Sequence, residues 1–203
     1  MGLEFVANDL RCVRGDITLF DDVGFVLKPG QSLRVHGSNG AGKTSLLRLL
    51  CGLSTPEKGE IKWQGESIWG NADFRRELIF LGHAPAIKPD LSAVDNLMFA
   101  AAMQGQPLTV SLAKQALQTV GLRSREHLAS RHLSAGQKRR VLLARLIAWP
   151  AQLWILDEPL AALDVKAVEE LECIMTRHLE AGGMLILTSH QDLRLPNSLE
   201  LSL

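Results

Sequence analysis

Residues 33–46 read Leu33-Arg34-Val35-His36-Gly37-Ser38-Asn39-Gly40-Ala41-Gly42-Lys43-Thr44-Ser45-Leu46. Ser32 to His36 has the composition of a short strand, and Thr44 to Leu50 reads as a helix closed by Gly52. Between them, residues 37–44 match GxxxxGK[ST] in the strand-then-helix context that the pattern requires. The chemistry explains the spacing. Glycines let the backbone turn inward so that its N–H groups face phosphate oxygens, and the following helix aims its positive end at the same anion. Lys43 adds a mobile charge for the β and γ phosphates, and Thr44 offers a hydroxyl to Mg²⁺. By itself the loop implies a nucleoside triphosphate and nothing finer, because kinases, GTPases and motor ATPases all use it.

Working outward, Leu3 to Ala7 and Ile17 to Leu27 are apolar segments joined by Arg14-Gly15-Asp16. Glu60 to Gln64 and Leu78 to Leu81 read as further strands, Leu153 to Leu156 and Met184 to Thr188 as short buried ones. Helices are expected at Ser92 to Met103, Val110 to Val120, Ala135 to Trp149 and Val165 to Glu180, the first opening on a capping-box-like Ser-Ala-Val-Asp. Strands alternating with helices imply a parallel α/β sheet, interrupted by a helical insert from about residue 83 to 133.

Leu153-Trp154-Ile155-Leu156-Asp157-Glu158 is an apolar strand ending in two carboxylates. In open α/β sheets ligands sit beyond the carboxyl ends of the strands. Asp157 is therefore expected near Thr44 as a Mg²⁺ ligand, and Glu158 is placed to polarise a water aimed at the γ phosphate. A base of this kind contributes roughly 10²–10⁴-fold in rate. His190 follows the last buried strand, leaves the sheet at the same edge, and is a candidate reporter of the γ phosphate.

Composition bounds the alternatives. Of 203 residues, 46% are apolar and 22% charged, enough for a packed core. Lys plus Arg and Asp plus Glu are both 22, so the basic excess of a nucleic-acid binder is missing and no nucleic-acid partner is expected. No signal peptide is visible. The longest clean apolar run, Leu97 to Met103, falls far short of the roughly 20 residues a membrane-spanning helix needs. Cys12, Cys51 and Cys173 are scattered and read as buried reduced thiols. Lys138-Arg139-Arg140 reads as the solvated face of a helix rather than a membrane-binding patch. His83, His127 and His132 are dispersed and there is no CxxCH, so no direct haem ligand is expected.

Leu133-Ser134-Ala135-Gly136-Gln137 resembles the LSGGQ signature of ATP-binding-cassette (ABC) ATPases. With it the chain follows that family's order throughout: phosphate loop 37–44, signature 133–137, acidic strand 153–158, Ala161-Ala162-Leu163-Asp164 as the D-loop, and His190 as the switch histidine. The resemblance covers essentially all 203 residues. It implies one ABC domain, a P-loop core of parallel sheet with antiparallel N-terminal strands plus the inserted helical subdomain. It also implies ATP and Mg²⁺ as ligands and a head-to-tail pair of cassettes. In such a pair Ser134, Gly136 and Gln137 of one copy close on the nucleotide held by Gly37, Ser38, Asn39, Gly40, Ala41, Gly42, Lys43 and Thr44 of the other. Glu158, His190 and Lys43 are the implied catalytic groups.

Two positions depart from the family pattern. His83 stands where a Gln usually contacts Mg²⁺, and Arg14, 23 residues before Gly37, replaces the aromatic that stacks on adenine. A guanidinium can also stack on a base. Gly82-His83-Ala84-Pro85-Ala86-Ile87-Lys88, Leu133 to Arg140, Trp154 to Pro159 and Ser189-His190-Gln191-Asp192 together look like the ATP-binding subunits of bacterial haem exporters in cytochrome c maturation. Such a subunit is peripheral, on the cytoplasmic face of the inner membrane, beside membrane-spanning subunits. There, ATP hydrolysis is coupled to release of a haem-loaded chaperone. An ATPase of another small-molecule exporter is the alternative.

Overall fold

In the computed structural model, residues 2–84, 86–191 and 193–203 are described. The first hairpin, β1 (Phe5–Arg14) and β2 (Ile17–Leu27), pairs through β1 with β4 (Lys58–Trp63), which carries the short β5 (Glu66–Ser67). This antiparallel sheet bends where β1 bulges. Its register slips after Ala7 against β2 and after Asn8 against β4, and Asp9 turns left-handed at φ 50°. Gly59 faces that bulge at φ 92°. Any Cβ there would collide with the carbonyl oxygens of Asn8 and Asp9, so only glycine permits the close approach.

The second sheet is parallel, in the order β6-β7-β8-β3-β9: β6 (Leu78–Leu81), β7 (Leu153–Asp157), β8 (Met184–Thr188), β3 (Ser32–His36) and β9 (Ser198–Ser202). Its central strands are buried on both faces and read as continuous apolar runs. Alternate residues serve two cores. Leu153, Ile155, Met184 and Ile186 join Leu33, Val35, the antiparallel sheet and α1 (Lys43–Leu50). Trp154, Leu156, Leu185 and Leu187 face α7 (Val165–Glu180) and the helices between β6 and β7. Those helices are α3 (Ala93–Met103), α4 (Val110–Thr119), α5 (Ala135–Leu143) and α6 (Arg145–Ala148), with a 3-10 turn at Ser130–His132. Ser92 and Thr109 cap α3 and α4 through their hydroxyls.

The expected strands and most helices are present, with shifts of a few residues at their ends. The single helix expected from Ala135 to Trp149 is instead two, because the chain tightens at Ala144, whose carbonyl accepts from both Ile147 and Ala148. A short α2 (Ala72–Arg76), capped by Asn71, and the edge strand β9 were not foreseen. Cys12 and Cys51 are buried as expected, but Cys173 is exposed, because α7 turns Ala167, Leu171, Met175 and Leu179 inward instead. The basic triplet is not a solvated face either. Arg139 is only 8% exposed, and Arg140 is largely covered while it pairs with Asp164 and Glu170. Among the described residues, no helix is long and apolar enough to cross a membrane.

Candidate functional site

β3 delivers the glycine-rich loop to the carboxyl edge of the sheet, and α1 leaves from it. The last loop residue, Gly42, is the N-cap of α1 at φ 102°, with no side-chain cap on the helix's free N–H groups. That leaves those donors for an anion. A Cβ at Gly42 would press within 3.1–3.4 Å of Leu19 and Phe20, so the loop's approach to the first hairpin also needs glycine. The Lys43 ammonium donates to the carbonyls of Gly37 (2.7 Å) and Ser38 (3.0 Å), lying across the loop that the N–H groups surround.

The end of β7, separated from β3 by β8, brings the acids to the same place. Thr44 Oγ1 donates to Asp157 Oδ2 at 2.9 Å. Asp157 is 3% exposed, and its other oxygen accepts from Thr188 Oγ1 at 2.8 Å. Thr188 in turn accepts from the Glu158 N–H at 2.9 Å. One buried hydroxyl thus fixes both the carboxylate of Asp157 and the backbone of Glu158, which is left-handed at φ 48°. Glu158 Oε1 is buried without a hydrogen-bond partner and lies 3.5 Å from His190 Nε2. An orphaned carboxylate oxygen needs a polar partner, and a ligand or its attacking water would supply one.

These groups line one cavity of about 430 Å³, which includes Asn39, Gly40, Gly42, Lys43, Thr44, Asp157, Glu158 and His190. His83, two residues beyond β6, lines it too, so the three groups expected around a metal, Thr44, Asp157 and His83, meet at one cavity. A hydroxyl and one carboxylate pointing at each other suit Mg²⁺, which keeps several waters and takes the rest of its shell from phosphates. Asn96 secures the segment that follows His83: its amide donates to the carbonyls of Lys88 and Leu91, and its oxygen accepts from the Lys88 N–H. Pro85 and Asp192 lie outside the described residues.

Not every expected residue meets here. From the first hairpin it is Leu19 that lines the cavity, while Arg14 is exposed at the turn. Ser134, Gly136 and Gln137 are also elsewhere, at the start of α5. There Ser134 Oγ accepts from the Gln137 N–H, and the Gln137 side chain accepts from the Ser134 N–H, a complete capping box. Gly136 abuts the turn after β7, where a Cβ would come within 3.0 Å of the Ala162 carbonyl.

Two contributors escaped the sequence reading. Thr188 looks like the last residue of a buried strand, and only its register opposite Asp157 shows its use. Arg139 donates to the carbonyls of Asp157 (3.1 Å), Glu158 (2.5 Å) and Pro159 (3.1 Å), and burial pushes its pKa down.

A P-loop kinase or GTPase has no use for a capped Leu-Ser-Ala-Gly-Gln helix packed against the turn that follows its acidic strand. The combination defines an ATP-binding cassette. A family model described as "ABC transporter" matches residues 20–161. The chain is 51% identical over 191 residues to the cytochrome c biogenesis ATP-binding export protein CcmA of Dechloromonas aromatica, covering 94% of each chain. Among solved structures, it superposes on an ABC transporter ATP-binding protein from Pyrococcus furiosus with TM-score 0.84 and 26% identity, over 98% of this chain and 97% of that one. It also matches a dimeric ATP-binding cassette bound to ADP and phosphate, with TM-score 0.82 and 21% identity over 92% and 88% of the two chains. The chain belongs to the ABC transporter family and, within it, to the family of cytochrome c biogenesis ATP-binding export proteins.

Proposed function

We propose that this chain hydrolyses ATP for the membrane complex that exports haem in cytochrome c maturation, with ATP turnover coupled to release of the haem-loaded chaperone. The loop 37–44 and Lys43 bind the β and γ phosphates, and the free N–H groups of α1 add the helix's positive end. The adenine end lies toward the first hairpin, where Leu19 lines the cavity. Thr44 and Asp157 hold Mg²⁺, with His83 beside them; the ion would neutralise charge that develops on the phosphates.

Glu158 aligns the attacking water and accepts its proton. His190 donates a hydrogen bond toward the γ phosphate from beside Glu158. A second copy contributes its Ser134, Gly136 and Gln137, so neither chain surrounds the nucleotide alone, and hydrolysis loosens the pair. The dimeric form of a structural relative supports that arrangement. The chain sits peripherally on the cytoplasmic face of the inner membrane, held by membrane-spanning subunits.

One observation carries the hydrolytic reading: the buried Glu158 Oε1, with no hydrogen-bond partner and 3.5 Å from His190, in the cavity that holds Lys43 and Thr44. Glu158→Gln should retain ATP binding while turnover falls by roughly 10²–10⁴-fold; undiminished turnover would remove Glu158 from that role. For the transport reading, the tagged chain is recovered from detergent-solubilised membranes and its companions are identified by mass spectrometry. Haem-handling membrane subunits are expected. An unrelated permease would keep the ATPase and discard haem.

A further inference from the structure

Arg139 lies two residues beyond the signature, on α5, yet its contacts are to the catalytic strand end. Its Nε and Nη2 donate to three successive carbonyls, those of Asp157, Glu158 and Pro159, and its side chain is buried. Taking a guanidinium out of water is expensive unless its donors are met, and here carbonyls meet them while two carboxylates stand nearby. Three carbonyls turned toward one planar fork leave the chain at 157–159 a single geometry. Glu158 occupies the left-handed region at φ 48°, a conformation that an unconstrained glutamate rarely adopts. The same helix touches the following turn twice more: Gly136 packs against the Ala162 carbonyl, and Arg140 Nη2 donates to the Asp164 carboxylate at 3.2 and 3.4 Å. The signature helix is thus joined to segment 157–164 at three places.

We propose that Arg139 is a positioning residue for hydrolysis, whose guanidinium holds Glu158 in its left-handed conformation and ties that conformation to the place of the signature helix. The proposal rests on the reading of Glu158 as the base and deepens it. Because α5 begins with the signature, closure of that signature on the partner's nucleotide reaches this chain's own base along that helix, with Arg139 the contact at the base itself. A lysine cannot reproduce this, since its single ammonium lacks the rigid fork.

The test uses the full chain purified with its membrane subunits. Arg139→Lys keeps the charge and loses the fork. We expect kcat to fall about 10- to 100-fold, the scale of an ångström-sized misplacement of a reacting group, with the KM for ATP and the affinity for a non-hydrolysable analogue unchanged within about twofold. In a Glu158→Gln background, Arg139→Lys should lower the residual rate no further, since the group it positions is gone. In Arg139→Ala, added ethylguanidinium should restore part of the lost kcat. A kcat within twofold of the parent in Arg139→Lys would overturn the proposal. So would the same fold loss with Gln at position 158 as with Glu, or a parallel loss of nucleotide affinity, which marks a merely structural role. If the lysine variant does not fold, the alanine variant decides by the presence or absence of rescue. Full turnover in Glu158→Gln alone would instead overturn the reading of Glu158.

Discussion

Replacing Thr188 by valine isolates the hydroxyl that links the two acids. Valine keeps the β-branched shape, so no cavity opens and the strand conformation is unchanged. Thr188 is wholly buried, and its Oγ1 makes two bonds, to Asp157 Oδ1 (2.8 Å) and from the Glu158 N–H (2.9 Å). Losing it strands a buried N–H and one side of a nearly buried carboxylate. Each stranded partner costs about 1–3 kcal/mol, with the carboxylate toward the upper end. Asp157 keeps its other oxygen on Thr44, which limits the total to about 2–5 kcal/mol. At about 2–4 °C per kcal/mol for a domain of this size, Tm should fall by roughly 4–20 °C. Thr188→Ser keeps both bonds and sheds one methyl, a loss of about 1 kcal/mol. Urea unfolding followed by tryptophan fluorescence measures both variants, and turnover should drop in the valine variant alone. A serine variant less stable than the valine variant would refute the reasoning, since packing rather than the hydroxyl would then carry the site.

Lys43→Ala should lose phosphate binding and turnover together, and a titration showing normal ATP affinity would remove Lys43 from the site. Gly183→Ala tests the other end of the sheet. The His178 ring is stacked on Trp154 at a centroid distance of 3.7 Å, and a Cβ on Gly183 would overlap that ring. Overpacking of this kind costs about 1–3 kcal/mol, visible in a thermal melt; an unchanged Tm would contradict the stack. His178 also sets a pH dependence. Burial lowers its pKa, so the folded chain resists a proton that the unfolded chain accepts near the usual histidine value. Stability is full above that value and falls as pH drops through it toward the lowered one. Urea midpoints measured between about pH 7.5 and 5.5 should show this decline, and it should flatten in His178→Phe.

The phosphate loop, acidic strand and sheet edge were legible because each is a local pattern whose chemistry dictates its spacing. What escaped depends on neighbours far along the chain. Thr188 gains its meaning from standing in register with Asp157, a consequence of strand order that no local run of residues encodes. Arg139 belongs to a basic triplet, and charge favours a solvent reading until the carbonyls of 157–159 are seen to surround it. The edge strand β9 is mostly exposed, and its two leucines alternate too briefly to stand out from a loop. The division of the helix after Leu143 leaves no proline or glycine to mark it. Arg14 stands 23 residues before Gly37, where the family pattern has its stacking aromatic, but it is Leu19 that the hairpin turns toward the cavity.

The place of β3 in its sheet bears on how the chain comes off the ribosome. Both of its neighbours, β8 and β9, are encoded some 150 residues later. A nascent chain that has released only its first two-thirds displays the phosphate loop on a strand with bare edges on either side. Such edges invite pairing with other chains, and closing so long a span slows folding. Residues 198–202 bond along the whole of β3, Glu200 pairs with His36, and the Leu203 N–H donates to the His36 carbonyl at 3.1 Å. The cradle for the nucleotide is thus among the first segments translated and among the last to acquire its full sheet.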